Sequence, residues 1–255
     1  MEIMSEHNKI PGKLLARLTR YGRVYLLDTV KSTNSYAFSL AGKHETAIVI
    51  AQNQTHGRGR FRRHWFTDSG SLTFSVLTFP ETEEAVPLAQ MTQVVGLAVC
   101  RAIEDILGLE PLIRWPNDII VGGKKVAGIL CEQHKDAVVL GIGMNVNQSE
   151  FPESLPDAGS LFLASGKTWE KLELADRILE RISGFQEQMQ AGETTELLTA
   201  IKDRSAILHR RVEIRTLFRR HIGTVVDIDA EGRIVLRTTS GRLAIINSGQ
   251  ARRLR

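Results

Sequence analysis

The sequence predicts an α+β protein: a mixed α/β domain over residues 1–203 followed by a small β-barrel over residues 204–255. Two breaks coincide near residue 204. Before it, apolar runs of strand length alternate with helical periods. Beyond it come short alternating runs, Val212–Leu217, Gly223–Ile228, Arg233–Thr238 and Leu243–Asn247, with turn signals at Glu231-Gly232 and Ser240-Gly241 at the spacing of a small barrel. Charge breaks at the same place. The 255-residue chain has a net charge of +4, yet residues 204–255 carry twelve arginines, no lysine and four acids, a net +8, which leaves residues 1–203 at −4. A composition 42% hydrophobic and 24% charged supports a packed core and excludes a disordered or collagen-like chain.

In chain order, a weakly amphipathic stretch at Lys13–Thr19 leads to a first strand, Arg23–Leu27. Ser32, Thr33 and Asn34 form a polar entry to a short helix at Ser35–Phe38. Thr46–Ala51 is a compact apolar run, read as a buried strand, and the polar loop QNQTHGRGRFRRHWFTDSG follows it. Ser71–Phe79, rich in β-branched and aromatic residues, reads as a strand ended by Pro80 and the acidic run Glu81–Glu84. From Pro87 to Leu107 apolar residues recur at helical spacing, with Pro87 in the first turn. Strands are predicted at Leu112–Trp115, Ile119–Val121 and Lys125–Glu132, the last two joined by Gly122-Gly123, and at Ala137–Met144. Residues 149–168 read as loop, and helices follow at Trp169–Met189 and Glu193–Asp203.

No apolar run approaches the ~18 residues of a membrane span, and MEIMSEHNKIPGK lacks the apolar centre of a signal peptide, so a cytoplasmic protein is expected. Cys100 and Cys131 have no partners at metal-ligand spacing and read as small core hydrophobes.

Four segments carry chemistry. Gly57-Arg58-Gly59-Arg60-Phe61-Arg62-Arg63 combines guanidinium groups, which pair bidentately with carboxylate and phosphate, with glycines that let the backbone approach a ligand; a solvated basic loop is the alternative. Arg114-Trp115-Pro116-Asn117-Asp118 offers oxygen ligands for a nucleotide or Mg²⁺, or an Asx-type turn with Trp115 in the core. Lys125 opens a strand and points either into a pocket or out into water. Gly141 and Gly143 leave one strand face bare, as for a flat ligand or a bulge.

In this order, with Ser32-Thr33-Asn34 ahead of them, these segments resemble the biotin protein ligases, the biotin–[acetyl-CoA-carboxylase] ligase family. The likeness runs from Val24 to Arg255 and is carried by Asp28–Asn34, Gln54–Trp65, Trp115–Asp118, Lys125–Glu132 and Gly141–Asn147. It implies a class II synthetase-like mixed sheet followed by an SH3-like barrel. It also implies a two-step reaction, in which biotin and MgATP give biotinyl-5′-AMP and a lysine of a biotin carboxyl carrier domain then takes the biotinyl group.

By that resemblance Ser32, Thr33, Asn34 and Gln54 would hold the ureido ring, and Gly128, Gly141 and Gly143 would leave room for the bicyclic ring and valeryl chain. Arg58, Gly59 and Arg60 would hold the biotin carboxylate beside the α-phosphate, and the loop would close over the adenylate with Trp65 at its end. Lys125, with Arg58 and Arg60, would be catalytic. Asn117 and Asp118 would bind the nucleotide through Mg²⁺, with Asp118 as the metal ligand, and Asn145 would contact the adenylate.

Three positions depart from the family pattern: Arg62 replaces a loop glycine, Arg114 replaces the lysine before Trp115, and Gln250 replaces a glutamate that would bridge the two domains. Only 22 residues precede the first predicted strand, too few for the winged-helix DNA-binding domain of family members that also repress transcription. A ligase without DNA binding is therefore expected, its basic barrel suited to ATP or an anionic carrier. The resemblance also admits a homodimer. Competing readings are a lipoate or octanoyl ligase or transferase of the same architecture, and a non-catalytic biotin sensor binding nucleic acid through residues 204–255.

Overall fold

The structure, a computed structural model, describes residues 12–80 and 87–254. Of MEIMSEHNKIPGK, read for a signal peptide, only Gly12 and Lys13 lie within the described residues, and Glu81–Glu84 and Arg255 lie outside them.

Seven strands form the larger sheet: β1 (Arg23–Val30), β2 (Ala47–Gln54), β3 (Ser71–Thr78), β4 (Leu112–Arg114), β5 (Asp118–Val121), β6 (Lys124–His134) and β7 (Ala137–Asn145), in the order β1-β2-β3-β7-β6-β5-β4. β1 and β2 are parallel, and the other neighbours are antiparallel. The sheet is therefore mixed, as the sequence predicts.

Strand alternation assigns its two faces. Ile48 and Ile50 on β2, Phe74 and Val76 on β3 and Leu140 and Ile142 on β7 share a core with α1 (Gly12–Leu18), α3 (Leu88–Leu107), α5 (Lys171–Gln190) and α6 (Thr194–Asp203). The intervening residues Val49, Leu77 and Val139 pack instead with Ala37 of α2 (Thr33–Ser39). α2 covers only part of this second face. Beyond it the same alternation presents Ser75 and Thr73 on β3 and Gly141, Gly143 and Asn145 on β7, and this polar, glycine-rich half builds the site.

Five antiparallel strands make the second sheet: β8 (Arg211–Arg215), β9 (Arg220–Ile228), β10 (Ile234–Thr238), β11 (Leu243–Ile246) and β12 (Gln250–Arg253), in the order β11-β10-β9-β8-β12. Its core of Val212, Ile214, Val225, Ile234 and Leu236 also contains Trp115, which is 2% exposed and donates from Nε1 to Gly232 O at 2.9 Å. The connecting segment is stitched to β4 through Ile113 N to Arg204 O at 2.7 Å and Ala206 N to Ile113 O at 2.9 Å.

Several elements differ from the sequence expectation. α4 (Leu161–Ser165) lies in the predicted loop; five residues are too few to show a helical period, though Ser160 caps it by accepting from Leu163 N. β12, with the sequence QARR, has no apolar alternation to announce it. Pro87 sits at the N-cap of α3 rather than inside its first turn. β1 and β2 run on to Val30 and Gln54, so Gln54 belongs to a strand rather than to the polar loop.

Cys100 is fully buried, and Cys131 packs against the same core. Burial pushes both thiols up to about 12. The thiolate is the reactive form, so this upward shift suppresses the reaction of both side chains. Neither cysteine is expected to react with iodoacetamide in the native protein, and both are expected to react after denaturation, a difference that mass spectrometry reads directly.

Candidate active site

A cavity of about 910 Å³ opens between the two sheets. The candidate site residues named from the resemblance line it: Ser32, Thr33 and Asn34 at the start of α2, Gln54 at the end of β2, Arg58, Gly59, Arg60 and Trp65 in the loop, Asn117, Asp118 and Lys125 around β5, and Gly128, Gly141, Gly143 and Asn145 on β6 and β7.

At one end the polar side chains of α2 are locked rather than free. Ser32 occupies the N-cap without a side-chain capping bond, and Thr33 N donates to Gln54 Oε1 at 2.8 Å. Asn34 donates to Leu130 O at 3.1 Å and to Glu132 Oε2 at 2.8 Å, with its oxygen 2.7 Å from Ser75 Oγ. Ser75 and Glu132 were given no role by sequence reasoning. Strand alternation was the available signal, since Ser75 pairs with Gly141 across β3 and β7.

The glycines have specific neighbours. A side chain on Gly141 would collide with the Asn34 carboxamide, so that glycine makes room for the asparagine. Gly128 and Gly143 make room for the Trp65 indole, with Cζ3 2.9 Å and Cε2 2.5 Å from where their Cβ atoms would stand. Trp65 thus fills the hollow that the resemblance assigned to the ring and chain, and its buried Nε1 has no hydrogen-bond partner among the described residues. Gly141→Ala is expected to displace Asn34, destabilising the fold by about 1–3 kcal/mol in urea unfolding and weakening ligand affinity in calorimetry.

At the other end charge is concentrated. Lys125 Nζ lies 2.6 Å from Asp118 Oδ1, and Arg114 lies 3.0 Å from Oδ2. Lys125 is 28% exposed and its ammonium stands 5.3 Å from the centre of the Trp65 ring, so the side chain turns into the cavity rather than into water. Asn117 and Asn145 are held by backbone: Asn117 Nδ2 donates to Ile129 O at 2.9 Å, and Asn145 Nδ2 to Gly159 O at 2.8 Å.

The arginine loop is a tight turn, closed by Gly59 N to Arg63 O at 2.8 Å and Trp65 N to Gly57 O at 2.9 Å. It spans the cavity to the second sheet. Arg60 donates to Ser248 Oγ at 2.6 Å and Gly249 O at 3.3 Å, and Arg63 donates to Gln250 Oε1 at 2.8 Å. Burial pulls the Arg60 pKa down, and Asp118 opposes the shift. The bridge that a glutamate at position 250 would supply is made here by a neutral amide. Of the other departures, Arg114 keeps its charge beside Asp118, and the Arg62 side chain lies outside what is described.

An α+β fold whose cavity sets arginine and lysine cations opposite a polar recess has the donor set of a binding site for an anionic ligand. A model of the biotin/lipoate A/B protein ligase family matches residues 26–149. The bifunctional ligase/repressor BirA of Bacillus spizizenii is 33% identical over 91% of this chain and 77% of its own length. The biotin–[acetyl-CoA-carboxylase] ligase of Mycobacterium tuberculosis is 30% identical over 90% of this chain and 89% of its own. Among solved structures, the biotin protein ligase of Aquifex aeolicus in complex with biotin and ATP is 32% identical with a TM-score of 0.79, covering 91% of this chain and 99% of that one. The chain belongs to the biotin/lipoate A/B protein ligase family, among its biotin protein ligases.

Proposed function

We propose that the protein activates biotin with ATP to biotinyl-5′-AMP and transfers the biotinyl group to a lysine of a biotin carboxyl carrier domain. The observation that carries this reading is the convergence of Arg58, Arg60 and Lys125 with Thr33, Asn34 and Gln54 on one cavity. In the first step a biotin carboxylate oxygen attacks the α-phosphorus, and the bond from that phosphorus to the pyrophosphate oxygen breaks. Two anions must meet, and fixed cations remove the repulsion without reorganising at the moment of reaction. Arg58 and Arg60 hold the carboxylate beside the α-phosphate, and Lys125 follows charge from one to the other as a mobile point charge. In the second step a neutral carrier amine attacks the acyl carbonyl, AMP leaves, and the amine proton passes to solvent. The loop and Trp65 keep water from the anhydride.

The donors present do not fit a resident magnesium ion. No group of three His, Cys, Asp or Glu among the described residues is placed to hold a metal, and each Asp118 oxygen already faces a cation. Asp118 stays the proposed carboxylate for the magnesium that enters on the phosphates of MgATP, where one or two carboxylates beside the phosphates suffice.

We further read residues 204–255 as an SH3-like barrel set off from a catalytic domain over 1–203, and the positive charge of that barrel as serving the nucleotide or an acidic carrier rather than DNA. Arg215, Arg252 and Arg253 line the cavity and support this. A homodimer would pair through β1, one of the two edge strands of the larger sheet, since the other, β4, is bonded to residues 204–206; light scattering tests for the dimer. No helix among the described residues is long and apolar enough to cross a membrane.

The test of function is transfer of biotin to a purified carrier domain with MgATP. Incorporation is expected with biotin and not with lipoate, and a wild-type protein that transfers lipoate alone, or nothing, refutes the reading.

A further inference from the structure

Glu132, on β6, has no part in the roles above, yet it controls their hydrogen-bond polarity. Its Oε2 accepts from Asn34 Nδ2 at 2.8 Å and lies 3.4 Å from an Arg58 nitrogen. Asn34 is only 4% exposed, and its other N–H goes to Leu130 O. Carboxylate and carbonyl are both pure acceptors, so the amide nitrogen faces them and Oδ1 faces Ser75. A carboxamide oxygen brings no proton, so the single Ser75 proton goes to Asn34. Ser75 Oγ is also 2.7 Å from Thr33 Oγ1, and a proton must lie between these oxygens. Ser75 has spent its own, so Thr33 supplies it across 2.7 Å, in preference to Gln54 Oε1, the farther acceptor at 3.3 Å. The Thr33 hydroxyl at the cavity wall is left as an acceptor, beside Gln54 Oε1, which already receives the Thr33 backbone N–H. Two acceptors side by side call for a ligand with N–H donors.

We propose that Glu132 is a positioning residue that sets the direction of this relay, so that the recess selects the ureido N–H groups of biotin over a ring presenting an oxygen in their place. The proposal rests on the reading that biotin binds here. Leu130 O holds one Asn34 proton, but Glu132 is the shorter and charged acceptor, and charge-assisted bonds are the stronger ones.

The test compares biotin with a cyclic carbamate analogue, in which one ureido N–H is replaced by oxygen, using calorimetry and biotin-dependent ATP–pyrophosphate exchange on the full chain. The wild type is expected to prefer biotin by about 100-fold, since the analogue leaves an acceptor unpaired. In Glu132→Ala the biotin Kd is expected to rise about tenfold, the loss in exchange falling on biotin KM rather than kcat, and the preference is expected to fall about tenfold. A merely structural role would weaken both ligands alike and leave the ratio unchanged. Glu132→Leu, which fills similar space and offers no acceptor, gives a second variant should alanine impair folding, and is expected to move the ratio in the same direction. A folded variant that keeps the wild-type preference overturns the assignment of Glu132 alone. A wild type that shows no biotin-dependent exchange overturns the ligase reading and the proposal with it.

Discussion

Lys125→Ala is expected to lower kcat for biotin-dependent ATP–pyrophosphate exchange by about 10²–10³, the loss that follows removal of one preorganised donor to developing charge. The side chain stands over Trp65 at 5.3 Å and is held by Asp118 at 2.6 Å, so it rests in the cavity before any ligand enters. On the proposed mechanism, carboxylate and α-phosphate oxygens would compete with Asp118 for the ammonium, and three rotatable donors on a flexible stem would serve both in turn. Lys125→Arg should not restore the rate: a planar fork matches one carboxylate bidentately but cannot migrate between two oxygens without breaking both bonds. The fold should tolerate either change, because Asp118 keeps Arg114 at 3.0 Å. Circular dichroism and melting temperature close to wild type, with exchange reduced as stated, is the expected pair of results. Exchange within tenfold of wild type in Lys125→Ala would remove the residue from the chemistry.

Reading Lys125 correctly needed more than the period of its strand. In GGKKVAGIL the residue faces either way, and the pairing of β5 with β6 slips between Ile119 and Ile120, so simple alternation fails there. Elsewhere period was enough. β2, β3, β7 and α3 are all visible as apolar patterns, and the alternation that buries Val139 also brings Gly141, Gly143 and Asn145 to the site. Side-chain partners were not legible. That Gly128 and Gly143 admit Trp65, or that Asp118 lies between two cations, depends on contacts between residues far apart in the chain. The reach of Arg60 and Arg63 to Ser248, Gly249 and Gln250 is the extreme case: their partners lie at the start of, or just before, a polar strand with no period, 187 to 189 residues away.

Trp115→Ala is expected to cost about 3–5 kcal/mol in urea unfolding, a large share of the total stability of about 5–15 kcal/mol typical of a domain. The reason is position. Trp115 follows β4 directly, yet its indole sits in the core of the second sheet with Val225, Ile234 and Leu236, and its Nε1 is spent on Gly232 O at 2.9 Å. Truncation would open a cavity in that core, leave a buried carbonyl unsatisfied and loosen the joint that aligns the two walls of the active site. Trp115→Phe keeps most of the apolar volume and loses the hydrogen bond, so about 1–3 kcal/mol is expected, and the difference between the two variants isolates packing from the bond. Activity should track the joint: Trp115→Ala, assayed below its lowered melting temperature, should show weaker nucleotide binding, because Arg215, Arg252 and Arg253 reach the cavity only while the second sheet is seated. A loss under about 1 kcal/mol for alanine would mean that the stitch of residues 204–206 along β4, rather than the indole, holds the sheets together.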